Sequence, residues 1–273
     1  MTERDTFRRS EVLYRVARGF LQRYPANARL VGAENIDLTR KLLSDGWIVT
    51  AAGDHKSLAD IYTIFSAALE YKFNDLPENA RVVMGVKWTR KFPTSLVKRI
   101  LDVVETVPSS IPKDKFPDRD AINQRAFDQS HNSPDGRFWI VTPEGTRTDG
   151  VMEEGKLGSK EFWHGADNST EGRLILPVAV EGTENQWPKE EGFRYFLKKG
   201  RFNEAIFIFG KPVKVEDVDE LAFDLAKGDE ELFKVYQVQV VMVLIASQHL
   251  SSMYTEKFRE LVKHIDKLPF FNP

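Results

Sequence analysis

The chain has 273 residues, 41% of them hydrophobic and 29% charged, with a formal net charge of −2. That balance describes a globular protein with a sizeable core and excludes a disordered or fibrous chain. The absence of cysteine excludes disulfides, thiolate metal sites and a cysteine nucleophile, and it is compatible with a reducing compartment.

The opening residues, MTERDTFRRSEVL, are charged where a secretion signal needs an apolar core. Residues 5–24 read as an amphipathic helix. Phe7, Leu13, Val16, Ala17, Phe20 and Leu21 recur near helical spacing, with arginines between them. A second basic stretch, Arg81–Ile100, holds Arg81, Lys87, Arg90, Lys91, Lys98 and Arg99 without an acidic residue, whereas residues 214–232 are acidic. Basic segments attract phosphate groups or an anionic surface, although a solvated face balanced elsewhere is the plainer account.

Trp47–Ala52 is a short apolar run ended by Gly53, which predicts a buried strand. Leu58, Ile61, Tyr62, Phe65 and Leu69 then recur at three- and four-residue steps, the stripe of a helix packed on a sheet. Further strands are expected over Arg81–Val86, Phe138–Thr142, Leu174–Val180 and Ala205–Phe209. A helix is expected over Pro93–Leu101, with Pro93 in its first turn. Two helices close the chain, Val218–Ala226 and a long one from Glu230 that breaks near Ser251–Ser252. No apolar run reaches the about 18–20 residues that span a bilayer. The nearest, Val238–Leu250, is short, contains Gln239, Gln248 and His249, and reads as a buried helix.

Strands separated by helices predict an α/β layered domain, a mixed and largely parallel sheet flanked by helices. No composition shift marks a boundary. A single domain over residues 1–273 is expected: an N-terminal helix in 1–27, a core in 28–185 and a helical completion in 186–273.

Two segments carry candidate chemistry. In Gly53-Asp54-His55-Lys56-Ser57-Leu58-Ala59-Asp60, His55 follows a strand and Asp60 lies in the first turns of the next helix. A sharp turn between them can fold the carboxylate onto the imidazole, fixing its tautomer and leaving the other ring nitrogen as a base. A His followed five residues later by Asp also arises by chance, and Asp60 can equally serve the helix dipole. Ser57 reads as a helix N-cap rather than a nucleophile.

The second segment, Thr142-Pro143-Glu144-Gly145-Thr146-Arg147, ends another strand, where α/β proteins place ligand sites. Gly145 permits close ligand approach. Arg147 offers a planar fork for a phosphate, and Thr146 with nearby backbone N–H groups can add donors. Glu144 can hold Arg147, accept a substrate hydroxyl or buttress the loop. A surface turn with an incidental ion pair is the simpler alternative.

Together the two segments resemble the phospholipid/glycerol acyltransferase family, whose members carry H-x-x-x-x-D early and a P-E-G-T-R loop later. Val31-Gly32-Ala33-Glu34-Asn35-Ile36 resembles the stretch before the family's first strand, and Leu176-Pro177-Val178-Ala179-Val180 its fourth block. The likeness covers roughly residues 28–185. Val86-Lys87-Trp88-Thr89-Arg90-Lys91-Phe92-Pro93 matches the start of the second block. The later Glu105–Ser110 lacks the expected glycine and the arginine after it, for which Lys113 is a possible substitute. Phe162-Trp163-His164-Gly165 stands where the family often has F-K-K-G. Nothing in the sequence pairs with His164, which reads as a surface or environment-tuned histidine. His131, His249 and His264 are isolated, without metal-ligand spacing. No nucleophile elbow, phosphate loop or dinucleotide turn is present.

The resemblance implies a glycerolphosphate acyltransferase-like fold and transfer of an acyl group from acyl-CoA or acyl-carrier protein to a glycerophosphate hydroxyl. His55 and Asp60 are then the catalytic pair. Lys87, Arg90, Glu144, Gly145, Thr146 and Arg147 line the substrate site, with no metal or cofactor beyond the acyl donor. The leading expectation is a 1-acylglycerol-3-phosphate O-acyltransferase acting on lysophosphatidic acid, followed by a glycerol-3-phosphate O-acyltransferase and by a non-catalytic lipid- or phosphate-binding relative. A cytoplasmic protein, peripheral on the inner face of a membrane and without a nucleic-acid partner, fits this reading. Residues 5–24 either lie in the membrane interface or pack on the core.

Overall fold

A computed structural model of the chain describes residues 10–73, 80–85, 100–107, 111–132, 138–144, 155–165, 168–250 and 258–269. Its strands are β1 (Ala28–Val31), β2 (Ile48–Gly53), β3 (Ala80–Gly85), β4 (Asp102–Thr106), β5 (Phe138–Val141), β6 (Arg173–Glu181), β7 (Ala205–Phe209) and β8 (Val213–Lys214). They form an 8-stranded sheet in the order β1-β7-β6-β2-β5-β3-β4, with β8 on β6. β6, β2, β5, β3 and β4 run parallel. β7 and β8 pair antiparallel to β6, and β1 runs parallel to β7. The mixed, mostly parallel sheet with flanking helices is an α/β layered fold.

β6 shows why the centre reads as an unbroken apolar run. Leu174, Leu176, Val178 and Val180 enter one core layer with Ile36 and Leu42 of α2 (Ala33–Ser44). Ile175 faces the other layer, beneath helices that come later in the chain. A strand buried on both faces has no polar side to alternate with. Pro177 sits in this strand without breaking it. The outer partner of β6 changes from β8 at Ile175 to β7 at Val178, leaving Pro177 opposite a turn where its carbonyl accepts from Gly210 N at 2.9 Å. A residue without an N–H is tolerated where the ladder is interrupted.

The helices follow the same logic. α3 (Ala59–Glu70) packs Phe65 beside Val82, Met84, Leu101 and Val103. Later come α4 (Arg119–Asn132), the short α5 (Thr183–Gln186) and α6 (Phe193–Lys198), then α7 (Val215–Ala226), α8 (Glu230–Ala246) and α9 (Arg259–Ile265). Asp229 caps α8 by accepting from Glu231 N and Leu232 N. Its second half, Val238 and Val240–Ala246, is buried all round, as expected for an apolar segment too short to span a bilayer. Among the described residues no helix is long and apolar enough to cross a membrane.

All five expected strands are present, as are the helices after Gly53 and from Glu230. The helix expected over Val218–Ala226 starts earlier, at Val215. β1, β4 and β8 were not anticipated, nor were α2 and α4. β1 and β4 are the sheet's edges, and edge strands are short and mixed in polarity, so periodicity does not reveal them. The helix expected over Pro93–Leu101 lies almost wholly outside the described residues, as does the break near Ser251–Ser252.

The N-terminal helix α1 spans Glu11–Arg23, with Ser10 as its cap. Residues 5–9 lie outside the described set. Tyr14 is buried on its inner side, while Val12, Val16 and Phe20 on the outer side are 71%, 64% and 36% exposed. The helix therefore packs on the core and also shows an apolar stripe to solvent.

Candidate active site

The register of the central strands assembles the site. Ala52 of β2 pairs with Val141 of β5, so the residues three places beyond each, His55 and Glu144, reach the same edge of the sheet. That is the carboxyl edge of the parallel strands, where open α/β sheets place ligands. There the backbone N–H of His55 donates to Glu144 Oε2 at 3.2 Å. Glu144 is fully buried. Of the three roles open to it, this contact is buttressing, because the carboxylate holds the main chain of the turn that carries His55.

Asp60 folds back onto the imidazole as the turn allows. Its Oδ2 lies 2.7 Å from His55 Nδ1. The same carboxylate accepts from Lys56 N at 3.0 Å and from Ser57 N at 3.1 Å. These donors belong to the turn that precedes α3 (Ala59–Glu70), and Asp60 itself lies in the first turn of that helix, where the dipole favours an anion. Helix duty and imidazole orientation are thus one arrangement. A neutral ring oriented by a carboxylate at Nδ1 carries its proton there and presents Nε2 as the acceptor. The His55 side chain is 20% exposed and that of Asp60 13%, so the pair is sheltered yet open on one side.

Ser57 is not a nucleophile. Its Oγ donates to Trp187 O at 2.8 Å and accepts from Ala59 N at 3.2 Å, so both its roles are spent on backbone. It is not the N-cap expected of it: Leu58 holds that position without a side-chain cap, and Ser57 supports the helix start from one residue earlier.

Two contributors escaped the sequence reading. Thr183 Oγ1 donates to Asp60 Oδ1. It reaches Asp60 because Gly182 takes a φ of 81° at the start of α5, and a Cβ there would stand 2.4 Å from Glu204 O. Only glycine enters that corner without strain. The available signal was the second Glu-Gly-Thr, Glu181-Gly182-Thr183, which repeats the pattern of residues 144–146 after another strand.

The other contributor lies beneath the turn. Asp54 Oδ1 accepts from Val180 N at 2.8 Å. Asp54 Oδ2 lies 3.1 Å from Lys56 Nζ and 3.3 Å from His249 Nε2, at ion-pair distance without hydrogen-bond alignment. His249 Nδ1 lies 3.1 Å from Glu181 Oε1. His249, isolated in sequence, therefore ties the end of α8 to the residues flanking His55. A buried charge is stable only with such partners.

His164 requires a correction. It is fully buried, with Nε2 2.9 Å from Asp219 Oδ2 and Nδ1 3.0 Å from Lys160 O. Its partner comes from α7, 55 residues away, so no local pattern could reveal it. Lys113 does not act as the stand-in considered for the second block: it pairs with Asp120 at the surface. Lys87, Arg90, Gly145, Thr146 and Arg147 lie outside the described residues. Among the described residues no group of His, Asp and Glu converges as metal ligands would.

Compared with known proteins, the chain matches no family model and no curated protein.

Proposed function

We propose that this protein is an O-acyltransferase of the phospholipid/glycerol acyltransferase type. It moves a fatty acyl group from acyl-CoA or acyl-carrier protein to a glycerophosphate hydroxyl. The observation that carries the reading is the 2.7 Å contact between His55 Nδ1 and Asp60 Oδ2, held beside Glu144 of the second motif. A base, its orienter and the strand end bearing Glu144 thus meet at one edge of the sheet. An incidental surface turn does not account for that convergence.

In this mechanism His55 Nε2 removes the acceptor hydroxyl proton as the oxygen attacks the thioester carbonyl. A C–O bond forms, the tetrahedral intermediate collapses with cleavage of C–S, and the imidazolium returns the proton to the departing thiolate. Asp60 stabilises the imidazolium and keeps the ring oriented. General-base assistance of this kind contributes about 10²–10⁴-fold. Arg147, with Lys87 and Arg90, would hold the acceptor phosphate and position the hydroxyl, a contribution through orientation. Lysophosphatidic acid is the preferred acceptor in this proposal.

The test measures free thiol release from acyl-CoA, and from acyl-carrier protein, with glycerol 3-phosphate and lysophosphatidic acid side by side. Transfer to lysophosphatidic acid that disappears in His55→Ala is expected. Transfer only to glycerol 3-phosphate would reassign the acceptor. No acceptor-dependent release from either donor would remove the enzymatic reading.

A further inference from the structure

Both neighbours of His55 in the chain are charged, and both are buried. Asp54 and Lys56 are each 2% exposed, whereas the His55 side chain between them is 20% exposed. A lysine is almost never buried to this degree unless it is paired, and Lys56 has no part in the proton transfer proposed for His55.

Its pairing is local. Lys56 Nζ lies 3.1 Å from Asp54 Oδ2, so the side chains before and after His55 meet on the buried side of the turn. Asp54 is in turn fixed to the sheet, because its Oδ1 accepts from Val180 N of β6 at 2.8 Å. His249, just beyond α8, approaches the same Oδ2 at 3.3 Å and Glu181 Oε1 at 3.1 Å. The main chain of Lys56 meanwhile donates to Asp60 Oδ2 at 3.0 Å, the oxygen that stands 2.7 Å from His55 Nδ1. Lys56 therefore acts at two points. Its ammonium holds the residue before the histidine, and its amide holds the carboxylate that orients the ring. With both neighbours anchored inward, the imidazole is left directed to the open side.

A buried ion pair contributes little net stability compared with apolar side chains of the same shape. Its consequence here is geometric. We propose that Lys56, through its ion pair with Asp54, is a positioning residue that fixes the direction of the His55 ring. The inference rests on His55 being the base of the proposed reaction. Holding Nε2 in one place contributes to the rate through orientation, and a small displacement of a catalytic group is costly.

The test reads the ring and the turnover separately. Long-range proton–nitrogen correlation NMR of the full chain with isotope-labelled histidine reports the tautomer, at about pH 9, where histidine is ordinarily neutral. The His55 signals are those missing from His55→Ala. The native protein is expected to show His55 as a single tautomer with its proton on Nδ1. In Lys56→Met the ring is expected to divide between the two tautomers, and kcat to fall about 10²-fold with KM little changed. A role confined to stability would leave the tautomer and the kcat of the folded variant as they are in the native protein. If Lys56→Met does not fold, Asp54→Asn combined with Lys56→Met, which removes both charges of the pair, decides by the same readings. A native His55 already divided between tautomers, or a folded variant with the native signature, overturns the proposal. The spectra need no turnover. Absence of acyl transfer in the native protein would remove the acyltransferase reading, and the tautomer would still decide whether Lys56 holds the ring.

Discussion

Glu144 Oε2 accepts the backbone N–H of His55 at 3.2 Å, so the second motif grips the main chain of the first. Glu144→Ala should leave a buried N–H unsatisfied, at a cost of about 2 kcal/mol, or about 4–8 °C in melting temperature. Glu144→Gln keeps an acceptor oxygen and should recover most of that loss. An unchanged melting temperature in Glu144→Ala would show that the contact contributes nothing to the turn.

His55→Ala should abolish acyl transfer while leaving the far-ultraviolet circular dichroism intact, because the ring is partly exposed and the turn is held by its backbone. Asp60→Asn should lower kcat by about 10²-fold or more and change KM little. The amide can place a donor against the N–H groups of Lys56 and Ser57, and it no longer stabilises an imidazolium. Near-native turnover in either variant contradicts the base assignment.

Thr183→Val preserves shape and removes the hydroxyl that donates to Asp60 Oδ1. Asp60 keeps its backbone donors, so kcat should fall about tenfold at most, equivalent to a hydrogen bond of about 1–1.5 kcal/mol. A loss as large as that of Asp60→Asn would mean that Thr183 does more than steady the carboxylate.

Tyr62 on α3 donates its hydroxyl to Tyr24 O, and burial pushes its pKa from 10.0 up to about 12, partly offset by Arg201. The folded state holds the phenol proton more tightly than the unfolded state. Its contribution to stability is therefore complete below pH 10 and is lost as pH rises through about 12. Denaturant unfolding across that window should show a loss that Tyr62→Phe flattens. Equal pH dependence in the two proteins would contradict the shift.

The outer stripe of α1 should contribute to any attachment to anionic vesicles. Val12 and Val16 are exposed, whereas Tyr14 belongs to the core, so deleting the helix would confound binding with unfolding. Val12→Glu combined with Val16→Glu leaves the inner face intact and should reduce co-sedimentation with vesicles, more so at low salt. Undiminished binding assigns the helix to core packing alone.

Much of the site could be located from sequence because its parts are local. His55 and Asp60 lie five residues apart on one turn, and Glu144 closes a recognisable strand, Phe138–Val141. The central strands were equally visible, since burial on two faces leaves long apolar runs such as Leu174–Val180. Edge strands such as Asp102–Thr106, and polar pairs such as His164 with Asp219, carry no such local mark.

The sequence by itself determined the layered α/β class, the strands at the sheet's centre and the positions of His55, Asp60 and Glu144. Each depends on short-range periodicity or on spacing within a single turn. Only the tertiary structure decided that Glu144 holds the backbone of His55, that Thr183 steadies Asp60, and that His249 lies between Asp54 and Glu181. Those contacts join residues 68 to 195 positions apart. Strand order and register bring them together, and neither is written in any local stretch of residues.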